Sequence, residues 1–205
     1  EQLDIVIHDD VEAAEPIRVF RGHTWWVWSA AFSPDDQRVV TAGQDGTAIV
    51  WSVNSEEKGV PFTGHVGPVY SAAFSPDGRY VATAGYDKRV LLWRPDQVRP
   101  FEFESLRAQG QTSKPPFVAL AGHDAPVRCA RFSPDGLQLV SGSHDNTVKV
   151  WDIAHGTCRQ TLRGHAGWVR SCSFSPGGES VLSGPVRSRT APCRRSMPPP
   201  TAPSR

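Results

Sequence analysis

Methionine is almost missing from this chain of 205 residues, with one copy, and its four cysteines include no Cys-x-x-Cys pair. Without that spacing, zinc ligation and thioredoxin-like chemistry have no support. The thiols Cys129, Cys158, Cys172 and Cys193 also form no dense disulfide framework. They suggest a reducing, intracellular (cytoplasmic) setting in which each is a small buried or surface residue. No apolar run reaches the ~18 residues that a membrane-spanning helix needs, so no membrane partner is expected. No basic-then-apolar leader follows Glu1, and a first residue other than Met is expected of a piece of a longer protein. Excess charge is lacking too: 22 Lys and Arg stand against 21 Asp and Glu, a formal +1. That balance exerts no general pull on nucleic acid or on an anionic surface.

The chain is rich in turn formers, with 18 Gly and 18 Pro. Many turns and short strands follow more readily from that composition than long helices. The charge is uneven. No acid follows Glu179, whereas Arg187, Arg189, Arg194, Arg195 and Arg205 do, so the formal +1 becomes −4 for residues 1–184. Residues 185–205 hold 6 Pro and 5 Arg in 21 positions, a composition that cannot bury a core and reads as a disordered tail. A change of reading frame or exon near Gly184 is the expected origin of that break.

Internal repeats decide the fold. Gly-His recurs at 22–23, 64–65, 122–123 and 164–165. Nine residues after each His comes a Phe (Phe32, Phe74, Phe132, Phe174) that opens a Ser-Pro turn. Eighteen residues after each His comes a hydroxyl residue (Thr41, Thr83, Ser141, Ser183). Asp45, Asp87 and Asp145 follow, and then Trp51, Trp93 and Trp151, each at one fixed offset.

Between these marks the segments read as strands. Val27–Phe32 and Val69–Phe74 are first strands; Arg38–Ala42, Arg79–Ala84 and Leu137–Gly142 are second strands. Thr47–Trp51, Arg89–Trp93 and Thr147–Trp151, rich in β-branched residues, are third strands. Weaker fourth strands fall at Pro61–Thr63, Phe117–Ala121 and Cys158–Leu162. In the Ser-Pro turns, Gly78 and Gly136 tolerate positive φ where Asp36 does not, so the first hairpin is expected to be slightly less favourable.

These residues resemble the WD-repeat family of β-propellers. The Gly-His, the Ser-Pro-Asp-Gly turn, the Asp and the closing Trp151-Asp152 carry the resemblance, which covers residues 3–184. It implies an all-β fold: an open arc of four-stranded antiparallel blades, cut from a larger propeller that would supply the remaining blades. Residues 1–20 are then the end of a preceding blade, with Ile5-Val6-Ile7-His8-Asp9 in the place of Val148–Asp152. Blade 1 spans 21–63, blade 2 spans 64–121 with an inserted loop at 94–116, and blade 3 spans 122–163. A partial blade 4 occupies 164–184, where Arg187 and Cys193 stand at the Asp and Trp positions. A rival closure would pair strands from residues 3–20 and 168–184 into one composite blade.

A His, a hydroxyl and a carboxylate suggest a catalytic trio. Three copies, each ending in a Trp, argue for structure instead. The resemblance implies that His23–Thr41–Asp45–Trp51, His65–Thr83–Asp87–Trp93 and His123–Ser141–Asp145–Trp151 are structural relays: Asp accepts from His, His meets the hydroxyl, and the hydroxyl meets the indole N–H. No phosphate loop, metal cluster or nucleophile elbow appears, so no catalytic residue and no cofactor is expected.

By the same resemblance, the loop after Gly-His and the residue before the Asp border one face of the propeller. The residues placed there are Trp26, Trp28 and Gln44, then Tyr70 and Tyr86, then Arg128 and His144, then Trp168 and Arg170. Trp, Tyr and Arg dominate binding hot spots. The expected function is a non-catalytic scaffold for protein or peptide partners, with no nucleic acid. The alternative is a sensor or regulatory module of a larger enzyme, such as a bacterial serine/threonine kinase.

Overall fold

A computed structural model describes residues 5–7, 18–55, 57–97 and 117–185. The positions of His8, Asp9, Arg187 and Cys193, most of the inserted loop and nearly all of the tail lie outside them. The described residues are strands joined by turns. A single 3₁₀ turn at Pro95–Gln97 is the one helical segment among them. Two short strands, β1 (Ile5–Ile7) and β2 (Arg18–Phe20), pair antiparallel. Three four-stranded meanders follow in chain order. The first is β3 (Val27–Phe32), β4 (Arg38–Gly43), β5 (Ala48–Ser52) and β6 (Val60–Phe62). The second is β7 (Val69–Phe74), β8 (Val81–Gly85), β9 (Arg89–Trp93) and β10 (Phe117–Ala121). The third is β11 (Val127–Phe132), β12 (Gln138–Ser143), β13 (Val148–Asp152) and β14 (Thr157–Leu162). A last pair, β15 (Val169–Phe174) and β16 (Val181–Pro185), completes the series.

The first strand of each sheet lies innermost: β3 packs beside β7, β7 beside β11 and β11 beside β15. The sheets are therefore blades arranged side by side as an open arc. The two end pairs form separate two-stranded sheets, so the composite blade is not what the described residues build.

Sequence explains the stacking. The middle strands are small or β-branched and lie between two neighbouring sheets, so both faces are apolar; every residue of β8 is buried. Between blades the third-strand Trp meets the outer strand of the blade before it. Trp51 packs on Phe20 with ring centres 5.3 Å apart, Trp93 on Phe62 at 4.5 Å, and Trp151 joins a cluster with Leu120. Each fully buried side chain of this kind contributes roughly 1.5–3 kcal/mol. The Ser-Pro turns are locked by their own serines: the Ser33, Ser75 and Ser133 hydroxyls each accept from the backbone N–H five residues on. Asp36 takes φ +55°, where the matching Gly78, Gly136 and Gly178 sit at +69°, +72° and +77°.

Cys129 on β11 and Cys172 on β15 bring their sulfurs to 2.7 Å across the join between the third and last sheets. Both are buried free thiols, and Cys158 is exposed. The contact of Cys129, followed by burial, raises the Cys172 pKa well above its ordinary value.

Candidate functional site

The strand turns place one polar relay in each complete blade. In the third, His123 Nδ1 lies 2.7 Å from Asp145 and Nε2 lies 2.8 Å from the Ser141 hydroxyl, which accepts the Trp151 indole N–H at 2.7 Å. In the first, His23 meets Asp45 and Thr41 at 2.8 Å each, and Trp51 donates to Thr41 at 2.9 Å. One proton arrangement satisfies the chain of donors. The indole donates to the hydroxyl, the hydroxyl donates to Nε2, and Nδ1–H donates to an ionised Asp.

The second blade departs from the pattern at its end. His65 lies 2.9 Å from both Asp87 and the Thr83 hydroxyl, but the Trp93 indole N–H is buried with no acceptor among the described residues. Trp93 instead lies flat on Phe62, with 7° between the ring planes. Trp51 also packs on an outer-strand Phe, but tilted by 32°, and it keeps its hydrogen bond. Trp93 is thus a packing residue here, outside the hydrogen-bonded chain that the spacing predicts.

The carboxylates are held ionised. Burial alone would raise Asp145, but the Thr147 hydroxyl, the His123 ring and the Thr147 N–H outweigh it and lower its pKa to about 2. Asp45 and Asp87 are lowered in the same way, against the opposing effect of burial. His123 is shifted down, chiefly by burial, and so stays neutral. Spacing did not single out Thr47 and Thr147, whose hydroxyls donate to Asp45 and Asp145. The clue available was that both sit two residues after the Asp, where blade 2 has Arg89.

The remaining candidates gather at the opposite end from the Ser-Pro turns. The register of every inner strand slips at one residue: between Val27 and Ser29, Val69 and Ser71, Val127 and Cys129, and Val169 and Ser171. The skipped residues are Trp28, Tyr70, Arg128 and Arg170. A bulge of this kind leaves its extra residue unpaired and re-aims the side chain. Four repeats of one bulge therefore direct four large side chains to one place.

They meet there. The Arg128 guanidinium carbon lies 3.9 Å from the centre of the Tyr70 ring and 5.4 Å from that of Trp28. Trp28 meets Tyr70 edge-on at 5.9 Å and Trp26 edge-on at 6.0 Å, and its indole donates to the Gln44 amide oxygen. Arg170 lines the same open groove, about 220 Å³ in volume, together with Arg131. Sequence reasoning passed over Arg131. It stands out only when the inner strands are aligned, where its neighbours in the column are Ala31, Ala73 and Ser173. His144 and Trp168 form a separate stack, with ring centres 4.1 Å apart. Burial, then the charges of Arg128 and Arg170, push the His144 pKa down. Tyr86 is 55% exposed beside the Gly67 turn. Trp26 and Trp168 are also at least half exposed.

Comparison with known proteins supplies the identity of this architecture. The family described as WD domain, G-beta repeat, matches four times, at residues 14–52, 56–94, 114–152 and 156–190. The nuclear distribution protein PAC1 of Arthroderma otae is 29% identical over 164 residues, which is 75% of this chain and 35% of that protein. PAC1-2 of Uncinocarpus reesii is 39% identical over 72 residues, 31% of this chain and 16% of its own. Ribosome assembly protein 4 of Chaetomium thermophilum is 44% identical over 50 residues, 24% of this chain and 10% of its own. The chain spans about a third or less of the length of these curated relatives. With four matched repeats, blades stacked along their inner strands and a His–hydroxyl–Asp relay in each complete blade, the chain belongs to the WD-repeat family.

Proposed function

We propose that this chain is a non-catalytic interaction scaffold whose bulge-bearing face binds protein or peptide partners. One observation carries the reading: the same bulge in four successive inner strands delivers Trp28, Tyr70, Arg128 and Arg170 to one exposed patch. Rings and guanidiniums of this type, part exposed and already in mutual contact, bury well against a partner at little entropic cost. The relays take no part in binding. Their His rings are buried, and their carboxylates serve the turn that holds the loops in position. In this reading Trp26, Gln44, Tyr86, His144 and Trp168 surround the patch as secondary contacts.

The test compares the chain with its Trp28→Ala/Tyr70→Ala variant, each immobilised and exposed to the same lysate under matched conditions. Proteins held by the parent are expected to be lost by the variant while its thermal melt is unchanged. Undiminished capture of those proteins would reject this face.

A further inference from the structure

The bulge-bearing patch has an electrostatic feature that a general docking face does not require. Arg128, Arg131 and Arg170 line one groove with Trp28 and Tyr70. Some other arginines of the molecule have acidic neighbours: Arg38 with Asp96 at 2.9 Å, Arg159 with Asp152 at 3.5 Å and Arg79 with Asp77 at 3.9 Å. Among the described residues, none of the three groove arginines has a carboxylate within ion-pair distance. Arg131 instead donates to the Ser71 hydroxyl and the Ala130 carbonyl at 2.8 Å each. Arg128 is half-buried between aromatic rings. The arrangement is held against its own repulsion: Arg170 acts on Arg128, and both act on His144.

The groove's charge does not come from a generally basic chain, because residues 1–184 carry a formal −4. Among the described residues no carboxylate lines the groove, so positive charge is concentrated there beside the two rings. Beyond its hydrogen bond to Tyr70, the Arg128 guanidinium keeps further N–H donors in its plane for a planar fork of acceptors. Stacked aromatics beside it cover the apolar stem of a ligand and weaken the competing hydration.

We propose that this groove takes an acidic peptide segment, with side-chain carboxylates seated on Arg128 and Arg170 and the intervening stem against Trp28 and Tyr70. A polyanion such as nucleic acid fits less well. It would present a continuous line of phosphates, whereas the positive charge here is confined to one groove, which a peptide can match with a local cluster of carboxylates. The inference rests on the partner-binding reading above and adds the chemistry of the partner.

The test uses fluorescence anisotropy with a short labelled Glu-rich peptide, its Gln-rich and Lys-rich counterparts, and a single-stranded oligonucleotide of similar length. The Glu peptide is expected to bind best, with affinity falling as salt rises. Arg170→Ala, at an exposed position, should weaken it about tenfold, the loss of one charge-assisted contact. Arg170→Glu should abolish binding with the melt unchanged. Equal binding of the Gln or Lys peptide, tighter binding of the oligonucleotide, survival in Arg170→Glu, or no binding of the Glu peptide would each overturn the proposal. The two readings separate cleanly. If the Glu peptide fails while Trp28→Ala/Tyr70→Ala still loses its captured partners, only the acidic chemistry falls. If capture is also unaffected, the face itself is wrong.

Discussion

Trp93 lies flat against Phe62, ring centres 4.5 Å apart, and its buried indole N–H has no acceptor among the described residues, whereas Trp151 donates to Ser141 at 2.7 Å. Two residues at the same place in successive repeats thus do different work. Trp93→Phe removes ring area and no hydrogen bond. Trp151→Phe removes area of the same kind and also strips an acceptor of its donor. Trp151→Phe should therefore cost about 1 kcal/mol more than Trp93→Phe in urea unfolding. Equal losses would mean that the relay hydroxyls gain nothing from the indoles.

The carboxylates differ in the same graded way. Asp145 accepts from the Thr147 hydroxyl and N–H, the Asp124 N–H and His123. Asp87 accepts from His65 and from two N–H groups at 3.3 Å. Asp87→Ala should destabilise the chain by ~1–3 kcal/mol, and Asp145→Ala by more. Thermal melts of the two variants side by side give the order directly.

Acid should weaken the fold over two pH ranges. His123 has a depressed pKa in the fold, so its contribution is complete above its ordinary value of 6.5 and declines as pH falls below that. Asp145, lowered from 3.8 to about 2, contributes fully above 3.8 and loses that contribution as pH falls toward 2. Asp45 and Asp87 act in the same direction. Melting temperature measured against pH should decline gently below 6.5 and steeply below about 4. A maximum below pH 5 would contradict these protonation states.

Much of the fold was legible because its repeat is written in fixed offsets. The first strands Val27–Phe32 and Val69–Phe74 fall where the apolar runs place them, and the His–hydroxyl–Asp distances follow from a spacing shared by three blades. What escaped the sequence depends on residues brought together across blades. Trp93 lies flat on Phe62, a residue of the outer strand before it. The Cys129–Cys172 contact joins positions that are not equivalent in their repeats, so no cysteine spacing announces it. The inner-strand bulge is equally silent, since it is a slip of backbone register rather than a change of composition. It nevertheless decides which side chains reach the face.

Asp36 offers a simple gain. It adopts φ +55° where three sister turns use glycine. The left-handed region costs an L-residue roughly 1–2 kcal/mol, and glycine returns about half of that as lost chain entropy. Asp36→Gly should raise stability by about 0.5–1 kcal/mol. A lower melting point would show that the Asp36 side chain contributes something its backbone strain conceals.

The thiols should separate by burial. Cys158 is exposed, whereas Cys129 and Cys172 are each only 5% exposed, and Cys172 is held protonated. Alkylation with iodoacetamide near pH 8, mapped by peptide mass, should label Cys158 rapidly and Cys129 and Cys172 only on denaturation. Fast native labelling of Cys172 would place the join between β11 and β15 in the wrong position.

The most direct measurement for the binding account is hydrogen–deuterium exchange on the chain with and without a partner captured by it. Protection is expected in the segments that lead into the inner-strand bulges, at residues 24–28, 66–70, 124–128 and 166–170. Protection confined to the opposite end, at the Ser-Pro turns beginning with Ser33, Ser75, Ser133 and Ser175, would contradict it.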